Sequence, residues 1–427
     1  MATDQTTDFR SFLKLFLPHP IVAKLAKHHA FCQRQRKLHP VFFVWNLILG
    51  ASCATTRSLA SLARNYQRFA AIAFSQPAFY KRFDQPLLDL LAALFDFCVN
   101  EHVPKPLAGP FKDILALDAT ILALWDDLAS RLPSCQEGSA ALKMHLVISV
   151  LDYTPNALKF RAGKDNDNAA WKGVGKWVEG KLLVMDLGYY SFWFFHRIHQ
   201  NKGFFLTRLK RNCALEVLED RTPCRGRRTH VKGCPLDEVL TRLKRKRFEF
   251  VVKVPVVLRS GRPVNYHWRV LGEWNEETKR YHCYMTNAPE DRILCEDARG
   301  LYAQRWAIEV LFRGLKETGR LHELPSRKEV VVKALIYAAL LFVMLSMWLR
   351  RVLFTANEQW RIGVLKIVRV TREWSAYFLE LLSEDILVRG HLSHPDLFRE
   401  QCLDSYALRP RLQAIPLIAE HSCALPP

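Results

Sequence analysis

Over the first hundred residues apolar side chains recur at three- and four-residue intervals with few alternating runs, a spacing that predicts helices. Within that region TTRSLASLARNYQRFAAIAFSQPAFYKRF (55–83) predicts one helix with Thr55 or Thr56 near its cap, a break, and a second helix capped by Ser75 with Pro77 in its first turn. Pro104, Pro106, Gly109 and Pro110 then punctuate the chain, and the texture changes. Runs rich in Ile, Leu and Val at 114–124, 142–153 and 157–163 predict neighbouring strands of a meander. A more polar, helix-compatible stretch (166–179) follows, then a buried-type strand (181–190) that ends in Asp-x-Gly, an aromatic helical run (191–202) and a further strand (204–210). That order describes a mixed sheet with helices packed on it, an α/β fold. From 211 to 295 alternating strands prevail, among them FEFVVKVPVVL, VNYHWRVLGEW and RYHCYMTNA, and from Asp297 long helices return.

One run tests the boundary between a core and a membrane. Residues 334–349, ALIYAALLFVMLSMWL, carry no charge for 16 residues between Lys333 and Arg350. A span needs about 20 apolar residues, so the reading favours a central buried helix and no membrane partner. Composition agrees with a folded chain: 427 residues, 49% hydrophobic and 24% charged, leave room for several domains and exclude collagen, coiled coil and wholesale disorder. Eleven cysteines without a Cys-x-x-Cys pair argue against a disulfide framework and for a reducing, cytoplasmic setting. Cys224, His230 and Cys234 lack a fourth ligand and the short spacing of a zinc site.

Charge changes the picture more. The formal net charge is +20, which favours a polyanionic partner, nucleic acid ahead of an acidic membrane. Between Lys202 and Arg262 there are 17 Lys or Arg against 6 Asp or Glu, so more than half of the excess sits there. With Tyr266, Trp268, Trp274 and Tyr281 interleaved, that stretch reads either as a solvated hairpin surface or as a β insertion facing nucleic acid. The pair of short helices before residue 83, the second bearing Tyr80, Lys81 and Arg82, reads as a DNA-binding helix-turn-helix or as an ordinary helical hairpin.

The candidate chemistry lies in acids where acids are costly. Asp118 interrupts an apolar strand run, and Asp186 ends another just before Gly188. Two carboxylates at the ends of adjacent strands can converge on a hard divalent cation, and a third ligand is then wanted. The segment GLYAQRWAIEVLFRGLKE (300–317) reads as one helix, and at 100° per residue Tyr302, Arg305, Glu309 and Lys316 share a stripe about 60° wide.

Tyr302, Arg305, Glu309 and Lys316, at spacings of three, four and seven, reproduce the Tyr-Arg-Glu-Lys signature of bacterial DDE transposases, and the chain resembles those of the insertion-sequence-four family. LALDATILAL around Asp118 is similar to that family's first catalytic strand, VMDLGYYS around Asp186 to its Asp-x-Gly block, and the stretch from Ser75 to its N-terminal module. The resemblance implies an RNase H-like mixed-sheet catalytic core interrupted by a β-rich insertion, preceded by an α-helical N-terminal DNA-binding domain. The expected division is 1–105 (helical, DNA-binding), 106–210 (core, first part), 211–295 (insertion), 296–370 (core, second part) and 371–427 (helical region and tail).

Carried across position by position, the resemblance makes Asp118, Asp186 and Glu309 a catalytic, metal-binding triad for two Mg2+ ions, with Mn2+ as a substitute. It gives Tyr302, Arg305 and Lys316 to DNA phosphate; Tyr80, Lys81 and Arg82 are expected as DNA contacts from the helix-turn-helix reading. The expected partners are double-stranded DNA, as terminal inverted repeats and target, and a second copy of the chain on paired ends. The expected setting is the bacterial cytoplasm, at the nucleoid. The other reading is a catalytically inactive, transposase-derived DNA-binding protein.

Overall fold

The structure is a computed structural model that describes residues 9–34, 38–52, 58–70, 75–102, 109–171, 173–211, 213–223, 230–258, 260–317, 321, 324, 326–359 and 361–383. Thr55, Thr56, Pro104, Pro106, Cys224 and the tail beyond 383 lie outside the described residues.

Six helices come first: α1 (Phe9–Phe16), α2 (His19–His28), α3 (Pro40–Ser52), α4 (Leu59–Ala70), α5 (Gln76–Tyr80) and α6 (Gln85–His102). The next block holds β1 (Ile114–Leu124), β2 (Ala140–Ser149), β3 (Pro155–Ala162), β4 (Leu182–Met185), α7 (Phe192–Gln200) and β5 (Phe204–Arg208). Then follow β6 (Glu216–Asp220), α8 (Leu236–Arg242), β7 (Arg247–Val257), β8 (Pro263–Asn275) and β9 (Arg280–Thr286). The chain closes with α9 (Ala298–Ala303), α10 (Trp306–Glu317), α11 (Glu329–Leu353), α12 (Ala356–Gln359), α13 (Val364–Glu373) and α14 (Ser375–Ser383), so that α13 crosses the division expected at 370.

The nine strands among the described residues form one sheet in the order β3-β2-β1-β4-β5-β9-β8-β7-β6. The first five make an antiparallel meander, β3-β2-β1, continued by β4 and β5 parallel to β1, which is the RNase H-like arrangement. β9 pairs antiparallel with β5, so the strands after residue 211 extend the same sheet instead of standing apart from it. Period-two alternation decides the two faces. Ile114, Ala116, Leu146, Ile148, Leu182 and Val184 join a core that also contains residues of the N-terminal helices and of α9, α10, α11, α13 and α14. Leu115, Leu117, Val147, Leu183 and Met185 face the other way, into a core with Phe194, Phe195, Phe205, Phe248 and Trp268.

The uncharged run 334–349 lies within α11, where 83% of the most apolar window is buried, in contact with α3 and α6. An all-round apolar helix is buried this way when it runs through the centre of a large core. Its terminal arginines have partners within the protein, Arg350 Nη2 donating to Gln359 O at 2.6 Å and Arg351 Nη1 to Asp152 Oδ2 at 3.2 Å, while Arg350 Nε is buried with no hydrogen-bond partner among the described residues.

Two expectations are corrected. The described residues of the polar stretch 166–179 form no α-helix; they hold two single 3-10 turns, Asp167–Ala169 and Lys176–Val178, tied down by contacts to β2, β3 and the turn after β4. The helix read over 300–317 is two helices, because Gln304, Arg305, Ala307 and Ile308 donate to the residue three before them. Such bonds advance the chain by about 120° per residue instead of 100°, which redirects the axis between α9 and α10. Among the interleaved aromatics, whose part was left open, Trp268 belongs to the core: it is 2% exposed and packs on Phe205 at 5.0 Å and Tyr266 at 5.1 Å between ring centroids.

Candidate active site

Register brings the first two acids together. β1 and β4 are parallel with Leu117 opposite Met185, so one step further Asp118 and Asp186 stand side by side, on the face that receives α10. Asp118 remains inside β1, and its Oδ1 accepts the backbone N–H of Ala119 at 2.8 Å. Asp186 has just left β4; its Oδ1 accepts the N–H of Gly188 at 3.0 Å and caps the 3-10 turn Leu187–Tyr189.

The third acid arrives on α10. Ile308, Leu311, Phe312 and Leu315 bury that helix against β1 and α13, and Gly314 permits the approach, since a Cβ there would stand 2.8 Å from Leu365 Cδ2. Glu309, in the first turn, then comes within reach of Arg305. That arginine links it to Asp118: its Nη1 donates to Asp118 Oδ2 at 2.8 Å and its Nη2 to Glu309 Oε1 at 2.5 Å. Its Nε is buried with no hydrogen-bond partner among the described residues.

The electrostatics follow from this crowding. Burial chiefly pushes the Asp118 carboxyl up to about 6; the neighbouring charges of Asp186 and Glu309 add to the rise, while the Ala119 N–H and Arg305 oppose it. Asp186 is raised by burial first, with the Gly188 N–H and Arg305 lowering it and Asp167 raising it. Acids that disfavour one another's ionisation in this way need a cation, and in the chain by itself the Arg305 guanidinium stands in for one. No group of three metal-ligating side chains is already drawn together at metal distance among the described residues, as expected while Arg305 fills the centre. The donor set, three carboxylates on rigid elements, is of the hard-oxygen type that divalent cations take, so the residues fit such ions.

The remaining expected residues are distributed around and away from this point. Tyr302, on α9, stacks at 5.2 Å on Tyr284 of β9, and the Arg208 guanidinium lies 5.6 Å from its ring. Lys316 sits in the last turn of α10, seven residues and thus nearly two full turns beyond Glu309. Tyr80, Lys81 and Arg82 lie elsewhere, at and after the end of α5. That helix is only five residues long, capped by Ser75 Oγ accepting from Ala78 N at 3.4 Å, and anchored by Phe79 among Phe43, Tyr66 and Phe83. Tyr80 and Arg82 are half-buried and Lys81 is exposed.

Other polar residues near Asp186 carried no motif. Asp167, Lys143, His145 and Tyr189 surround its turn; the one signal in the sequence was a His inside the apolar run LKMHLVISV. His145 is fully buried, and burial chiefly lowers its pKa to about 4.

Comparison with known proteins identifies the family. Residues 109–345 match the family model for the transposase DDE domain, more than half of the chain. The chain is a member of the DDE transposase family. Transposases of insertion sequence elements are its relatives at low identity: that of IS231B from Bacillus thuringiensis subsp. berliner is 22% identical over 385 residues, covering 80% of this chain and 79% of the relative. That of IS231D from Bacillus thuringiensis subsp. finitimus is 24% identical over 383 residues with the same coverage. The piggyBac transposase in its synaptic complex with hairpin DNA shares 10% identity at a TM-score of 0.42, over 92% of this chain and 84% of that one. The RNase H-like arrangement of this transposase rests on its own strand order and directions. As a DDE transposase of insertion sequence elements it is a DNA-cleaving enzyme, and its family uses divalent metal ions.

Proposed function

We propose that this transposase belongs with the insertion-sequence-four group, binds the terminal inverted repeats of its own element, cleaves the DNA there and joins the freed ends to target DNA. Asp118, Asp186 and Glu309 are the catalytic acids in this reading and hold two Mg2+ ions, for which Mn2+ can substitute. The observation that carries it is one guanidinium, that of Arg305, hydrogen-bonded to both Asp118 and Glu309 and acting electrostatically on Asp186 beside them.

When bound, a pair of divalent ions supplies an activated water or 3′-hydroxyl and charge stabilisation at the pentacovalent phosphorus and the leaving oxygen. The protein's own contribution is positional. Asp118 is fixed by β1 and the Ala119 N–H, Asp186 by the Gly188 N–H, and Glu309 by the packing of α10. Arg305 has to exchange its two carboxylates for a DNA phosphate, to which its planar fork is equally suited, and that exchange opens the acids to cations. Tyr302 and Lys316 join it on the phosphate backbone, Lys316 as a point charge. Lys81, with Tyr80 and Arg82, contributes contacts further along the duplex, and two copies of the chain act on paired ends. The high net charge supports this assignment and makes binding fall steeply with salt.

The test uses the purified full chain, labelled duplex carrying the element end, and Mg2+ or Mn2+. Nicking and joining by the wild type, abolished in Asp118→Asn, Asp186→Asn and Glu309→Gln with DNA binding retained, is the expected result. Equal activity in those variants removes the acids from the mechanism. Binding without breakage by the wild type in either metal identifies an inactive DNA-binding relative instead.

A further inference from the structure

The turn that carries Asp186 is held from outside the acidic trio. A Cβ added at Gly188 would stand 2.7 Å from Asp167 Oδ2 and 3.1 Å from Asp186 Oδ1, so two carboxylates close on the same side of that glycine. Asp167 opens the 3-10 turn Asp167–Ala169, and its other oxygen, Oδ1, meets Lys143 Nζ at 3.0 Å. The same ammonium donates to Asp165 O at 2.7 Å, which fixes the loop as well as the charge. Asn168, oriented with its amide nitrogen toward the carbonyls, donates to Gly188 O and Tyr189 O, each at 3.1 Å. On the far side of the turn the Tyr189 hydroxyl is 2.7 Å from His145 Nδ1. Lys143 and His145 both come from β2, the strand paired with β1, so one strand braces the frames of Asp118 and Asp186 together.

An ion pair kept only for stability would leave Asp167 facing Lys143. Here one oxygen takes the ammonium and the other faces the Asp186 turn, with the Lys143 side chain 13% exposed and that of Asp167 27% exposed. A carboxylate so placed repels Asp186, and a divalent cation drawn to Asp186 relieves the repulsion.

We propose that Asp167 is a fourth acid of this centre, a positioning residue that raises the cation affinity of Asp186 without being needed as a ligand, and that Lys143 is its counterweight. This rests on the reading above, in which Asp118, Asp186 and Glu309 hold divalent ions. Charge and not mere bracing is the claim, so the two partners have to act in opposite directions.

The experiment titrates Mn2+ into the metal-free full chain bound to duplex end DNA, where Arg305 has given up its carboxylates, and reads free ion by electron paramagnetic resonance against the duplex alone, with thermal melts in parallel. Asp167→Asn, an isosteric change, weakens Mn2+ binding about tenfold, and Lys143→Gln tightens it about threefold. Asp167→Glu, which keeps the charge, stays within about threefold of wild type and serves if the Asn variant does not fold. Unchanged binding in Asp167→Asn, or weakening in both Asp167→Asn and Lys143→Gln, overturns the proposal. Asp186→Asn is the control: if it loses Mn2+ while Asp167→Asn does not, this inference alone falls; if Asp186→Asn binds as wild type, the three-acid reading falls and takes the inference with it.

Discussion

Two arginines in this transposase make opposite use of the same chemistry. Arg269, on β8, is about 4% exposed and has an acceptor at each nitrogen: Nε donates to Glu249 Oε1 at 2.7 Å, Nη1 to Ala288 O at 3.0 Å and Nη2 to Ile293 O at 3.0 Å. Arg305 touches two carboxylates with its terminal nitrogens and leaves a buried Nε without a partner among the described residues, at a place still open to solvent. The first is a closed knot in which each guanidinium nitrogen has a fixed protein acceptor. In the function proposed above the second is an exchangeable contact, because both of its acceptors would then hold cations and phosphate can replace them.

The largest effect expected from breaking this contrast lies at the acids. Asp118→Asn or Glu309→Gln should reduce strand cleavage by about a thousandfold or more, measured on labelled end DNA, with little change in urea midpoint. Next comes Arg269→Met, which leaves Glu249 buried and unpaired and should cost about 3–5 kcal/mol in urea unfolding. The matching change Arg305→Met should move stability by less than about 1 kcal/mol, because the acids it abandons are partly hydrated. The two arginines are alike after all if the two midpoints shift equally.

Glycines sharpen the contrast at smaller scale. A Cβ at Gly272 would stand 2.0 Å from Phe248 Cε1, so Gly272→Ala should destabilise by about 1–3 kcal/mol through overpacking. Gly188→Ala would press on Asp167 and Asp186 instead, and should cost about ten- to a hundredfold in cleavage with a nearly unchanged melt. The smallest effect is one of pH. Asp113, 2% exposed, accepts from Ser149 Oγ at 2.9 Å, and its carboxyl is pushed up to about 7, mainly by burial. A raised acid binds more protons folded than unfolded, so its contribution is complete below about pH 4 and is lost as pH rises through about 7. Asp113→Asn should flatten that part of the stability profile and raise stability at pH 7.5 by about 1 kcal/mol; a profile identical to wild type contradicts the assignment.

What could be read ahead of the structure was what apolar runs announce. The strand at 114–124 and the buried helix around 334–349 depend on local composition, and both are found. The break at Gln304–Arg305 has no breaker residue in the sequence; it accompanies an arginine whose partners lie on β1 and one turn ahead. The stretch 166–179 is polar enough for a solvated helix, yet its turns are decided by Lys143, Asn168 and Arg161, which only the sheet register brings near. The Asp167–Lys143 pair was invisible for the same reason. Which of Trp268 and Trp274 stays available was open in the sequence, because alternation along β8 does not reveal that Phe195 and Phe205 cover Trp268.

The central claim is that Asp118, Asp186 and Glu309 share one cation centre. Loading the full chain, bound to end DNA so that Arg305 releases the acids, with Fe2+ in place of Mg2+ and adding ascorbate and hydrogen peroxide cuts the polypeptide backbone beside the bound ion. The account predicts three clusters of cuts, around Asp118 in β1, along the turn from Asp186 to Tyr189, and at the start of α10 near Glu309, all suppressed by excess Mg2+. Cuts confined to one of these segments, or located elsewhere in the chain, would contradict it.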